Sequence, residues 1–313
     1  MKLQQKSQEE NVTEWVEFVL LGFCDVPHLR WFLFGVFLLI YMVILLGNGI
    51  IILLTKVDST LHIPMYFFLA NFSSLEICYV SVILPRMLMN LGTQQRAISL
   101  FACASQMFCF LTFGATECFL LAAMAYDRYV AICNPLHYPV IMNHKVCSQL
   151  VAACWISGVP VQMGQTLQIF SLPFCGSNQI NHFCCDIPPV LRLACGEIFV
   201  NEMMVYLAAV VLVSVPFVLI LTSYIKIIST VCKLPSATSR AKAFSTCSSH
   251  LTVVMLFFGS AMVTYLRPNS THSAGTDKVL ALFYTILTPM FNPMIYTLRN
   301  KDVTTALGRL LGK

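Results

Sequence analysis

Three sets of side chains in this sequence could do chemistry, and each stands in apolar surroundings. Glu76 and Glu117 are isolated carboxylates inside long hydrophobic runs. Asp127 and Arg128 stand side by side where another such run ends, in the stretch MAYDRYVAIC at 124–133. Cys175, Cys184, Cys185 and Cys195 crowd into LPFCGSNQINHFCCDIPPVLRLAC at 172–195. A carboxylate deep in an apolar medium either keeps a proton or holds a hard cation, and it is a functional candidate by default. An adjacent acid and base can act as a switchable ion pair, with an arginine snorkelling to lipid headgroups as the plainer reading. The clustered cysteines can form disulfides or bind metal. Ser245, Ser248, Ser249 and His250 lie close together, yet at the polar end of a run where packing and partner contact account for them. No catalytic nucleophile is expected, and hence no enzyme.

The elements that must position these groups follow from composition. Of 313 residues 58% are hydrophobic and 11% charged, against about 25% charged in soluble chains. Such a chain cannot clothe a water-facing surface, so membrane embedding is expected. The net charge of +5 is thinly spread, which leaves no basic patch for nucleic acid. Seven stretches are long and apolar enough to span: 31–56, 63–89, 100–131, 146–170, 200–231, 240–266 and 277–297. With the N-terminus outside, eleven of the nineteen Lys and Arg fall inside and eight outside, the sign of the positive-inside rule. The first thirty residues contain no apolar core of a signal peptide, and Asn11 opens a glycosylation sequon there. A second sequon, at Asn269, follows the sixth stretch. The expected fold is therefore an all-α seven-helix membrane bundle. An extracellular tail (1–30) precedes the bundle (31–297), and a cytoplasmic segment (298–313) follows it. In that last segment Val303, Ala306, Leu307, Leu310 and Leu311 recur at helical spacing, as in a short amphipathic helix on the membrane surface.

Helical rise places the groups within this frame. From Cys103 to Arg128 is about 37 Å of helix, a little more than the roughly 30 Å hydrocarbon core. Cys103 and the Asp127–Arg128 pair therefore lie at opposite surfaces, while Glu76 and Glu117 fall near the middle, in a layer that Asn48 and Asn292 are expected to share. Arg128 bonded to Asp127 would hold the bundle closed, and Arg128 swung toward a partner would open it. Between the fourth and fifth stretches, Cys103–Cys185 would staple the loop to the bundle and Cys175–Cys195 would close it on itself. Connectivity is not fixed by spacing, and a zinc site from His182, Cys184, Cys185 and Asp186 stands as an alternative.

The ordered set of short motifs carries a family resemblance. Gly47-Asn48, PMYFFL at 64–69, MAYDRYVAIC at 124–133, Ser223-Tyr224, KAFSTCSSHL at 242–251 and PMFNPMIY at 289–296 occur in this order. From about residue 15 to 311 the chain resembles an olfactory receptor of the tetrapod-type (class II) subgroup, within the rhodopsin-like G-protein-coupled receptors. The resemblance implies the disulfides Cys103–Cys185 and Cys175–Cys195, although Cys184 stands where the family usually has an aromatic residue. It implies a switch of Asp127, Arg128 and Tyr129, with Tyr224 and Tyr296 receiving the freed Arg128. It adds Asn292 and Pro293 to that switch and the segment from Lys242 through Ser245 to His250 as the surface that meets a stimulatory olfactory G protein and raises cyclic AMP. A sodium ion at Glu76 and Glu117 is also implied, with Glu76 in place of the more usual Asp; no cofactor is required.

The resemblance places odorants among Phe110, Leu111, Gly114 and Ala115 of span three and Val205, Ala208, Ala209 and Leu212 of span five. Phe258, Met262 and Tyr265 of span six and Leu282 and Thr285 of span seven complete the set. These residues are apolar with a few hydroxyls and no fixed charge. The expected ligand is a small volatile, mostly apolar, with Tyr265 or Thr285 orienting one polar group. The expected location is the plasma membrane of olfactory sensory cilia. A non-nasal receptor for a metabolite or steroid would share the fold. A transporter or channel would need repeated halves, broken helices or a charged path, and none is evident.

Overall fold

The computed structural model describes residues 17–23, 27–175, 177–233, 236–265, 274–298 and 301–310. Seven spans form one bundle, and the protein is a multi-pass membrane protein. The first three are Arg30–Val57, Pro64–Thr93 and Leu100–Cys133. The fourth is His144–Ser157 continued by Val159–Phe170, and the fifth is Phe199–Ala209 continued to Val215–Cys232. The sixth is Ala237–Tyr265, apolar from His250 onward, and the seventh runs from Ala274–Leu282 to Thr288–Leu298. Every span ends within a few residues of its expected limits. Trp31, Phe32, Leu39, Leu46, Ile225 and other large apolar side chains stay exposed on the outside of the bundle, where in a membrane they meet lipid.

Span three is the central post, packing against spans two, four, five and six. Close approach needs glycine at two contacts. A Cβ on Gly158 would lie 2.9 Å from the Ala115 side chain, and one on Gly47 would lie 3.2 Å from Pro293. The Gly-Asn motif is thus read physically: Gly47 admits the Pro293 turn of span seven.

Spans five and seven each contain a turn of π-helix, at Val210–Ser214 and Phe283–Leu287. Pro216 and Pro289 follow these turns, and a proline has no N–H to donate to the carbonyl one turn back. The ladder slips by one residue, and in span seven the Phe283 carbonyl accepts from the Thr288 N–H five residues on and from its hydroxyl at 2.9 Å. Such turns cluster at functional sites, and both lie level with the cavity described below.

One end of the bundle is closed by a three-stranded sheet that sequence periodicity does not reveal. Strand β1 (Glu17–Leu20) runs antiparallel to β2 (Ala97–Ser99) and parallel to β3 (Gln179–Ile180). Phe18 and Leu20, two residues apart, point inward and are fully buried. The stretch expected as an extracellular tail therefore contributes a structural strand from residue 17.

At the opposite end Lys301–Leu310 forms the expected amphipathic helix. Val303 and Ala306 are buried against the bundle, and Arg309 pairs with Asp58 at 3.1 Å. The Thr60 hydroxyl and backbone N–H, and then Arg309, hold the Asp58 carboxyl below its ordinary value.

Candidate ligand cavity and switch

Near the sheet-covered end, spans three to seven line a small cavity of about 70 Å³, well below the roughly 300–1,000 Å³ of sites that take drug-sized ligands and suited to a small molecule. Nine of the thirteen residues named from sequence line it: Phe110, Leu111, Gly114, Ala115, Val205, Ala208, Ala209, Leu212 and Tyr265. The other four do not. Phe258 is fully buried against Phe217 and Phe257, and Thr285 is buried with its hydroxyl donating to the Ala281 carbonyl at 2.6 Å. Met262 and Leu282 pack against the core from partly buried positions.

Two disulfides hold the loop over this end. Cys103 joins Cys185, with Cα atoms 5.5 Å apart, and Cys175 joins Cys195. With Cys185 in a disulfide, no thiolate remains there for zinc, so the zinc alternative falls. Among the described residues no cluster of three or more such ligands forms. Gln106 makes a second tie, accepting from the Cys185 N–H at 3.0 Å and donating to the Val82 carbonyl at 2.9 Å. Cys184 is buried beside His182. Burial, and then Asp186, push its thiol up, which keeps it protonated beside its paired neighbour.

The structure corrects the expectation that no fixed charge approaches the cavity. Asp186 is buried and accepts hydrogen bonds from the Tyr265 hydroxyl at 2.9 and 3.1 Å and from the Tyr284 hydroxyl at 3.1 Å. Its carboxylate also caps the short helix Ile187–Leu191. The hydroxyl of Tyr265, expected to orient a ligand, is thus engaged by the protein, as is that of Thr285. Span four, absent from the expected set, supplies the free polar atoms instead. Gln162 and Gln165 line the cavity, and Gln162 Oε1 and Gln165 Nε2 are buried without a hydrogen-bond partner among the described residues. Their spacing of three residues puts both on one helix face, a signal that was present in the sequence.

Midway along the bundle, Asn292 donates its amide to Glu76 Oε1. Glu76 Oε2, both Glu117 oxygens and Asn292 Oδ1 are buried without a partner among the described residues. Asn48 is not part of this set, since it donates to the Ile44 carbonyl of its own helix at 3.0 Å. Two carboxylates in a dry layer repel unless a proton or a cation lies between them. Four unpartnered oxygens are a donor set that suits a hard cation such as sodium.

At the far end the expected latch is differently wired. Asp127 is buried and accepts from the Tyr138 hydroxyl at 2.9 Å, not from Arg128. Burial and the Asp127 charge hold the Tyr138 hydroxyl above the usual tyrosine range. Tyr138 lies in the turn Tyr138–Ile141 after span three and was not anticipated. Arg128 lies close enough to act electrostatically on Tyr224, Cys247 and His250. Tyr224 and His250 share a hydrogen bond of 2.8 Å between spans five and six. Lys226 of span five sits over the Tyr129 ring at 5.4 Å. Pro293 is buried in span seven, whereas the side chains of Lys242, Ser245 and Tyr296, like residues Asn11 and Asn269, lie outside the described residues.

A family model described as olfactory receptor matches residues 37–313. The human protein named olfactory receptor 10AG1 is 63% identical over 298 residues, covering 95% of this chain and 99% of its own. Human olfactory receptor 10A3 is 51% identical, covering 97% and 96%, and human olfactory receptor 10C1 is 51% identical, covering 97% of each chain.

Proposed function

The chain belongs to the olfactory receptor family, and from that premise we propose that it binds a small, neutral, largely apolar volatile and activates a stimulatory olfactory G protein, raising cyclic AMP. The observation that carries the ligand half is the cavity between spans three and seven: apolar walls, and a carboxylate already engaged by two tyrosines. Burial of apolar surface supplies most of the affinity there. A carboxylate ligand would face Asp186, and an amine would have to compete with the two tyrosine hydroxyls for it.

The G-protein half rests on the end that carries Asp127, which we place in the cytoplasm with the disulfide end outside. Its polar groups are paired across elements, Asp127 with Tyr138 and Tyr224 with His250, and Arg128 stands between them. A shift of span six away from span three would break the Tyr224–His250 bond and free Arg128 and Tyr224 for the partner, a two-state element of the kind a switch needs. A sodium ion between Glu76 and Glu117 would bias this equilibrium toward the closed form. The site of action in this reading is the ciliary plasma membrane of olfactory neurons.

The test is cyclic AMP in cells carrying this chain and a stimulatory olfactory G protein, exposed to a panel of volatiles. Arg128→Ala at matched surface expression runs beside the parent. A response in the parent that the variant loses is expected. Silence from the parent at demonstrated surface expression contradicts the reading.

A further inference from the structure

The two amides of span four narrow the ligand class. Gln162 and Gln165 are both more than nine-tenths buried, and both line the cavity. Among the described residues Gln162 Oε1 is an acceptor without a donor, and Gln165 Nε2 is a donor without an acceptor. Two of the three tyrosine hydroxyls at the cavity, those of Tyr265 and Tyr284, are held by Asp186; the third belongs to Tyr79 of span two. Leaving such groups unpaired in an apolar surround is costly. They are therefore paired when the site is occupied.

We infer that the cognate ligand carries a hydroxyl, which donates to Gln162 Oε1 and accepts from Gln165 Nε2 while its hydrocarbon body lies against Phe110, Leu111 and Val205. A hydroxyl is the smallest group that is donor and acceptor at one atom. Turning over both amides exchanges their donor and acceptor roles, and a hydroxyl fits that arrangement equally. A ketone, ether or ester satisfies only the donor amide, and a hydrocarbon satisfies neither. A ligand that fills this wall without satisfying both amides forgoes the affinity of those bonds. This inference rests on the reading of the cavity as the ligand site. It adds the chemical class and moves the polar anchor from spans six and seven to span four.

The test is ligand-dependent thermal stabilisation of the purified receptor, read as a Kd. The probes are linear, cyclic and phenolic alcohols, each beside the ketone of the same carbon skeleton where one exists and the hydrocarbon in which methyl replaces hydroxyl. At least one alcohol is expected to bind about ten- to a hundredfold tighter than its methyl isostere, the ratio that one to two unmade buried hydrogen bonds produce. Gln162→Leu with Gln165→Leu is expected to shrink that ratio to threefold or less while the hydrocarbon binds as well or better. Replacing both amides by apolar groups of similar shape leaves the helix free to fold, which the unliganded melting temperature checks. Gln162→Glu, which keeps an acceptor, is expected to retain part of the preference.

Three results of this assay overturn the inference: no preference for alcohols in the parent, a preference that survives in the double variant, or no stabilisation by any alcohol. The assay uses no G protein, so a failure of signalling leaves it intact. A cyclic AMP response confined to volatiles without a hydroxyl would keep the receptor reading and sink this one.

Discussion

The two ends of this bundle handle buried polar groups in opposite ways. Around the cavity, a disulfide, a three-stranded sheet and the Gln106 bridge fix the frame, and within it two amides are left without partners among the described residues. At the Asp127 end no covalent tie holds the described elements, and buried polar groups pair between elements: Asp127 with Tyr138 of the following turn and Tyr224 with one ring nitrogen of His250, whose other nitrogen has no partner among the described residues. A fixed frame with unmet hydrogen-bonding groups is pre-organised for a ligand. A set of hydrogen bonds between separately moving helices is suited to exchanging partners. The same membrane fold thus leaves two amides unmet beside its cavity and ties its other end with bonds between elements that can exchange.

The sharpest way to break the contrast is to remove the staple. Cys103→Ser is expected to cost about 2–5 kcal/mol and to abolish surface expression, scored by antibody on intact cells. Normal expression and ligand response would show that the sheet and Gln106 suffice as the frame. At the other end, Tyr138→Phe leaves Asp127 buried without its hydrogen bond, worth about 1–3 kcal/mol. A several-fold rise in basal cyclic AMP at unchanged expression is expected, because the closed arrangement loses a tie and the cavity does not.

Between the two ends, replacing choline by sodium in the buffer is expected to raise the melting free energy by about 1–2 kcal/mol at roughly ten times the ion's Kd. Glu117→Gln should erase that difference, and a sodium effect that persists would place the ion elsewhere. The smallest effect belongs to the exposed pair Arg309–Asp58. Arg309→Ala is expected to leave melting temperature and response unchanged, since solvent-facing ion pairs contribute little.

How far the sequence reveals this arrangement depends on the range of the physics involved. Apolar runs long enough to cross a bilayer are local, and they mark all seven spans to within a few residues. The amphipathic helix at 301–310 is equally local, its period visible in Val303, Ala306 and Leu307. The motif resemblance placed nine cavity residues, because helical spacing propagates from one landmark along each span. Strand β1 was hidden because it is four residues long and its partners lie at 97–99 and 179–180, so no local pattern requires it. Tyr138 was hidden for the same reason, since only the fold of the following turn brings its hydroxyl to Asp127. Gln162 and Gln165 are a different case. Two amides at a spacing of three in an apolar span are a readable anomaly, but the ligand positions that the family resemblance implies lie on other helices.

The division of labour between the ends is tested most directly by measuring binding and signalling separately on the same variants. A volatile alcohol that stabilises the purified parent is used to read Kd on Arg128→Ala and on the Gln162→Leu, Gln165→Leu pair, with cyclic AMP recorded in cells at matched expression. The account predicts that Arg128→Ala binds as the parent does and does not signal, while the glutamine variant reaches the parent's maximum only at about tenfold or more higher concentration. Loss of binding in Arg128→Ala, or loss of maximal signal with unchanged binding in the glutamine variant, would contradict it.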